Sequence, residues 1–406
     1  MTSQSLKSGW HMVKFGEVVK NANLVERDPE ANGIARTVGL EHIDPENLHI
    51  RRWNSAADGT SFTRKFLPGQ TLFGKRRAYQ RKVAYAEFEG ICSGDILTFE
   101  PKNRKVLLPE LLPFICQSDA FFDHALDTSA GSLSPRTSWT ALKGFEFPLP
   151  ALDEQKRIAE ILWAADAAVE HFAALESEAE KARRVSLFEF MATGAGEKFR
   201  GLTSHSATGP WKVKRVSKAG DVQLGRQRAP KYQSGKWTRP YLRVANVFDG
   251  YFDLEDVLSM DFDDRDFARY ELRSGDILLN EGQSRELVGR CAMFADQIEG
   301  CCFQNTLIRF RCGDELIPEF AFSYFQFLFY RQTFAAVARQ TTSIAHLGAD
   351  TFQKLFMPVP PVDEQRKIAG VMDRFNASKR DLARQRENIQ RTRQALINAL
   401  TGAAHV

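Results

Sequence analysis

With 406 residues, 43% of them apolar and 26% charged, and a formal net charge of +4, the chain has the composition of a globular protein of two or three domains. So small a net charge excludes a polycation that coats nucleic acid along its whole length, and any nucleic-acid surface must be local. The longest apolar-looking run, from Phe320 to Tyr330, carries Ser323 and Gln326 and is too short to cross a bilayer, so no membrane span is expected.

The chain opens with "MTSQSLKSGWHMVKFG", which lacks the apolar stretch of a secretory signal, and a cytoplasmic location is expected. The six cysteines (Cys92, Cys116, Cys291, Cys301, Cys302, Cys312) form no CxxC pair and sit among apolar neighbours. They read as reduced core thiols, with a zinc site the weaker alternative. From Gly9 the pattern is short, alternating and broken by Gly, Pro and Asp: "GWHMVKFGEVV", "TVGLEHID" from Thr37, "FLPGQTLFGK" from Phe66 and "YAEFEGICSGDILTF" from Tyr85. Such segments predict strands joined by turns, followed by a packing helix near Pro109 to Phe122. At Phe147 comes "FPLPALDEQKRIAEIL", a proline-rich approach to a long helix that Asp153 can cap. Ile158, Leu162, Ala165, Val169, Phe172, Leu175 and Ala179 then recur at steps of three and four, the period of a coiled coil.

After a linker rich in Gly, Ser and Thr the same order repeats. "GPWKVKRVSKAGDV" from Gly209, "YLRVANVF" from Tyr241, "LRSGDILLNE" from Leu272 and "MFADQIEGCCFQNTLIRF" from Met293 lead to a packing helix near Pro318 to Phe334. The sentence "MPVPPVDEQRKIAGVM" begins at Met357, 210 positions after its counterpart. A period that long is a domain duplication. The second helix, capped by Asp363, is expected to place Ile368, Met372, Phe375, Leu382, Ile389 and Leu396 on its seam, with Ser378, Gln385 and Thr392 at the intervening positions. From Asp153 to Phe190 there are nine acidic and five basic residues, and from Asp363 to Leu400 five and nine, so the helices are expected to pair with each other, antiparallel.

The expected fold class is therefore α/β (mixed α+β): two similar modules separated by two long helices in an antiparallel coiled coil, with an internal pseudo-twofold duplication. The expected boundaries are 1–152 for the first module, 153–208 for the central helix and linker, 209–362 for the second module and 363–406 for the C-terminal helix.

Two α/β modules, each closing on a "PLPxLDEQ"-like approach to a long helix, resemble the specificity subunits of type I restriction-modification systems over essentially the whole chain. The resemblance implies a prokaryotic subunit without catalysis of its own, whose two target-recognition domains each read half of a split, asymmetric site in double-stranded DNA while the helices set the spacer. It also implies docking of two methyltransferase subunits and, through the complex, of endonuclease/translocase subunits. Methyl donor, ATP and Mg would lie on those partners and no cofactor on this chain. In agreement, the chain has no GxGxxG opening a βαβ unit, no NPPY-like tetrapeptide and no GxxxxGK[ST] loop. "EQK" from Glu154 imitates a nuclease ExK, but the second copy reads "EQR" and both sit in a first helical turn, where capping explains them. A structural adaptor whose modules bind protein is the alternative of a different class.

DNA reading needs cations for phosphates and amide, guanidinium or hydroxyl groups for base edges. In the first module these are Lys75, Arg76, Arg77, Tyr79, Arg81 and Lys82 of "GKRRAYQRK", and Ser134, Arg136 and Thr137 of "GSLSPRTSW". In the second they are Arg226, Gln227, Arg228, Lys231 and Tyr232 of "GRQRAPKYQ", then Gln283, Ser284 and Arg285 of "NEGQSREL", and Thr341, Thr342, Ser343 and His346 of "RQTTSIAHL". Arg243 and Asn246 are weaker candidates. The residues differ between corresponding places, so two different half-sites are expected.

Overall fold

The alternating segments of each half become short, mostly antiparallel strands, and the two proline-led segments become the long helices Leu152–Ala195 and Val362–Leu400. In a computed structural model, which describes residues 7, 9–131, 134–229, 232, 234–340 and 343–402, the chain divides into two compact units. The first comprises 1–174 and 382–406, the second 175–381, so both long helices contribute to both units.

In the first unit His11–Lys14 pairs antiparallel with Glu146–Leu149. A four-stranded sheet has the order Val19–Asn21, Ile96–Pro101, Thr71–Gly74, Val83–Tyr85. A five-stranded sheet contains one parallel pair, Arg36–Val38 with Gly90–Cys92. The second unit repeats the scheme. Lys212–Arg215 pairs with Phe356–Val359, a four-stranded sheet runs Gly220–Leu224, Leu307–Cys312, Ile277–Asn280, Cys291–Met293, and Thr238–Leu242 lies parallel to Cys302–Phe303. The packing helices fall where the sequence places them, at Leu112–Gln117 and Asp119–Asp127, and at Pro318–Tyr330 and Thr333–Val337. Their aromatic faces build the cores. Phe15, Phe73, Phe99 and Phe121 interlock in the first unit, as do Phe310, Phe325 and Phe352 in the second.

The "DEQ" triplets are explained by their glutamines. Gln155 and Gln365 are about 1% and 0% exposed. Gln155 Nε2 donates to the carbonyls of Val106 and Pro150 at 2.8 and 2.9 Å while its Oε1 accepts from the Leu108 amide at 3.0 Å. Gln365 repeats this with Glu315, Pro360 and Ile317 at 2.7, 2.8 and 2.9 Å. Each side chain thus satisfies buried and partly buried backbone groups that no strand or helix reaches. The helices begin at Leu152 and Val362, one residue before the aspartates. Asp153 and Asp363 therefore act by negative charge in the first turn rather than as caps.

Within each unit the helical segments pair antiparallel. In the first, Ile158 and Leu162 share an apolar patch with Leu396 and Leu400, and Asp166 pairs with Arg393. In the second, Glu180 pairs with Lys379, and Leu187 and Met191 share a core with Ile368 and Met372. The seam differs from the expected one. Leu396 is 43% exposed while Ile397 and Leu400 are buried. Ser378, Gln385 and Thr392 are exposed, and the seven-residue step from Met372 leads instead to Lys379 and Arg393. The charges face each other across the seam, which is how the opposite charge balance of the two helices is used. Trp163 donates its Nε1 to the Glu110 carbonyl at 2.9 Å and packs on Tyr85 and Phe114.

Candidate nucleic-acid interface

In the first unit the chain leaves strand Thr71–Gly74 into the basic stretch. The Lys75 amide donates to the Asp95 carbonyl at 2.9 Å, and the Lys75 carbonyl accepts from the Thr137 amide at 3.0 Å. Arg76 and Arg136 form an antiparallel bridge, and Arg136 forms another with Ala130. The candidate segments around Arg76 and Arg136 are therefore one surface. Arg77 adopts a left-handed conformation, φ 55°, and donates its amide to the Pro135 carbonyl at 2.8 Å. The Ser134 hydroxyl accepts from Arg76 Nε at 2.8 Å and Arg77 Nε at 3.3 Å, which aligns the two guanidinium groups. Asp95 lies 3.7 Å from the Arg76 and 3.3 Å from the Arg136 guanidinium. Burial first, and then the nearby cations Arg64 and Arg136, depress the Lys75 pKa despite Asp95. Tyr79 stands beside this surface, 55% exposed.

Arg81 and Lys82 face the other way. Arg81 donates to the Gln117 carbonyl at 2.9 Å and to Asp119 at 2.7 Å, lies 3.3 Å from Glu46 and stacks on Phe122. Lys82 Nζ donates to the Leu40 carbonyl at 2.6 Å. Both are spent on the fold.

The second unit repeats the arrangement with other side chains. Gly282–Gln283 pairs with Ala345–His346, which pairs with Arg339–Gln340. The Glu281 amide donates to the Thr306 carbonyl at 2.9 Å and the Glu281 carbonyl accepts from the Leu347 amide at 2.8 Å, matching Lys75 contact for contact. Gln283 Oε1 accepts from the Ser284 amide at 3.0 Å, Arg285 and Ser343 are exposed, and His346 Nδ1 lies 3.1 Å from Glu281. An open groove of about 570 Å³ runs beside His346, Arg339 and Arg269. Gln227 and Arg228 are exposed. Arg226 is turned inward, donating to the Asp261 carbonyl, pairing with Asp266 and stacking on Tyr232 at 3.7 Å. Asn246 is buried, donating to the carbonyls of Asp253 and Asp256, and Arg243 pairs with Asp256. Lys231, Thr341 and Thr342 lie outside the described residues.

Sequence reasoning passed over Asp95, Glu281 and Arg64, which the fold brings to these surfaces. Only the spatial pairing of Asp95 with Arg136 and of Glu281 with His346 marks the two carboxylates, and only its effect on Lys75 marks Arg64; no local pattern does. Among the described residues no group of His, Cys, Asp and Glu has the arrangement of a metal site, and no helix is long and apolar enough to cross a membrane. Five of the cysteines are buried and Cys312 is partly so. Burial pushes the Cys92 thiol up to about 12 and does likewise to Cys301, which keeps them un-ionised.

Residues 7–181 and 216–391 each match the family described as type I restriction modification DNA specificity domain. Among curated proteins, the chain is 23% identical over 293 residues to the type I restriction enzyme EcoKI specificity subunit of Escherichia coli K12, covering 71% of this chain and 62% of that one. It is 27% identical over 163 residues to the EcoDI specificity subunit of Escherichia coli, covering 38% and 34%. The matches thus span less than two thirds of either relative. Among solved structures, a chain from a type I R-M system described for its complex assembly and conformational transition superposes with a TM-score of 0.63 at 22% identity, covering 97% of this chain and 98% of that one. The S subunit of a type I restriction-modification system from M. genitalium does so at 0.54 and 13%, covering 98% of each. At these identities the superpositions establish the fold.

Proposed function

The chain belongs to the type I restriction modification DNA specificity family, and on that premise we propose that it is the non-catalytic subunit that brings partner methyltransferase and ATP-dependent endonuclease subunits to a split, asymmetric DNA sequence. The modules at 1–152 and 209–362 each read one half-site. The helical segments 153–208 and 363–406 set the spacer and carry two methyltransferase subunits. Methyl donor, ATP and Mg belong to the partners.

One observation carries the reading. In each module two segments some sixty residues apart are zipped into a single, partly exposed surface, cationic around Arg76, Arg77 and Arg136 in one and mixed amide, hydroxyl and imidazole around Gln283, Ser284 and His346 in the other, with the candidate Thr137 buried beneath the first. Cations placed beside hydroxyl and amide groups are what phosphate contact and base reading need together, and two chemistries in equivalent places favour two different half-sites.

The test is Arg77→Ala in the complex. A phosphate contact predicts weaker binding to every sequence and a salt slope reduced by about one. A base contact predicts one relaxed position of one half-site, by about 1–3 kcal/mol. Unchanged affinity and unchanged specificity would remove Arg77 from the interface. For the spacer, four residues inserted in a long helix add about 6 Å, and the preferred gap should lengthen by roughly two base pairs. An unchanged gap would refute the ruler.

A further inference from the structure

We infer that Asp95 and Glu281 are positioning residues for sequence reading, each orienting from beneath the exposed side chain, Arg136 or His346, at the centre of its module's paired segments. The inference rests on the reading above and goes further by naming the pair in each module that sets specificity.

Arg136 and His346 occupy the same place. Arg136 is bridged on one side by Arg76 and on the other by Ala130, and His346 by Gly282 and Arg339. The residue after each, Thr137 or Leu347, donates its amide to the carbonyl of the residue that follows the matching core strand, Lys75 or Glu281. In both modules a carboxylate meets the central side chain, Asp95 at 3.3 Å from Arg136 and Glu281 at 3.1 Å from His346. In both the carboxylate is the inner member. The Asp95 and Glu281 side chains are 21% and 18% exposed, against 55% and 44% for Arg136 and His346.

The two carboxylates come from different positions. The counterpart of Asp95, by its accepted amide bond, is Thr306, and the counterpart of Glu281 is Lys75. Neither counterpart bears a carboxylate, so the duplication did not simply copy the pair. It was built twice. Ion pairs this exposed add little to stability, which leaves orientation as what they share. A guanidinium discriminates guanine through O6 and N7 only when its plane is fixed. A histidine held at Nδ1 keeps Nε2 as the nitrogen not engaged by Glu281, in a set direction. Asp95 also offsets part of the cationic charge of its surface, which restrains attraction to arbitrary DNA.

The test uses the full chain in complex with its methyltransferase subunit, carrying Asp95→Asn or Glu281→Gln. Bound duplexes are selected from a randomised pool, alongside measurement of affinity for a non-specific duplex and of thermal stability. Asp95→Asn is expected to cut discrimination at one base position of one half-site by on the order of 10- to 100-fold. The other half-site and the melting temperature should not change, and non-specific affinity should be equal or higher. Glu281→Gln should do the same in the other half-site, and Asp95→Glu should restore much of the lost discrimination. Unchanged motifs in both variants, or loss of both half-sites together with a lowered melting temperature, would overturn the inference. A wild-type complex that selects no split motif would overturn the functional reading itself, and the inference with it.

Discussion

Replacing Asp166 by alanine strikes the ionic part of the helical seam in the first unit. The carboxylate is 3% exposed, pairs with the buried guanidinium of Arg393 and lies 2.8 Å from His49 Nε2. Its removal leaves Arg393, 6% exposed, with the Glu46 carbonyl at 3.1 Å but without its carboxylate, and leaves His49 with Glu87 alone. Breaking a buried pair from one side costs about 3–5 kcal/mol, a large part of the roughly 5–15 kcal/mol that holds a domain together. Removing both charges, in Asp166→Ala/Arg393→Met, should cost much less, because no buried charge is left alone. Urea unfolding followed by fluorescence, with Trp163 packed at this site, gives the stability, and hydrogen exchange over residues 382–400 gives the location. The single variant should lose about 3–5 kcal/mol and the protection of 382–400 before that of 362–381. A loss below about 1 kcal/mol, the scale of an exposed pair, or a double variant as unstable as the sum of the singles, would refute the argument.

Three further outcomes follow from the same structure. Hydrogen bonding to Asp166 raises the His49 pKa above its ordinary 6.5 against the opposing effect of burial, with Glu87 adding to the rise. That stabilisation is complete below 6.5 and is lost as pH rises through the higher folded value, so first-unit stability measured in urea across that window should fall with rising pH, and His49→Gln should flatten the slope. Gln155→Ala and Gln365→Ala each strand a buried carbonyl, a second carbonyl and a partly buried amide, and each should destabilise its own unit by about 1–3 kcal/mol, read by the same titrations; a neutral effect in either would mean that water replaces the side chain. Gly194→Ala would place a Cβ 2.0 Å from the buried Trp211 ring and should cost the second unit about 1–3 kcal/mol by overpacking, with a lowered melting temperature as the readout.

The duplication, the strand order of landmarks, the packing helices and the two long helices were legible because each rests on local pattern: alternation, turn residues, a three-four period. The seam was only half legible. A search for apolar residues passes over the half-buried Lys379 and the buried Arg393, and their place at the seam depends on Glu180 and Asp166 some two hundred positions away. Of the candidate interface, the segments around Arg76, Arg136, Gln283 and His346 could be picked out by composition, but their pairing could not. Composition also cannot distinguish an arginine free to meet a phosphate from Arg81 or Arg226, whose partners include the carbonyls of Gln117 and Asp261. The glutamines of the repeated triplets looked like part of a helix start, because the backbone they hold lies nearly fifty residues upstream.

The most direct test of the central claim is base-resolved methylation mapping of a host without its own methylation, carrying this chain with its neighbouring methyltransferase subunit, and again without this chain. The account predicts a split, asymmetric methylated motif that appears only with the chain present. An assembled complex that adds no motif, or one whose motif persists without this chain, would contradict it.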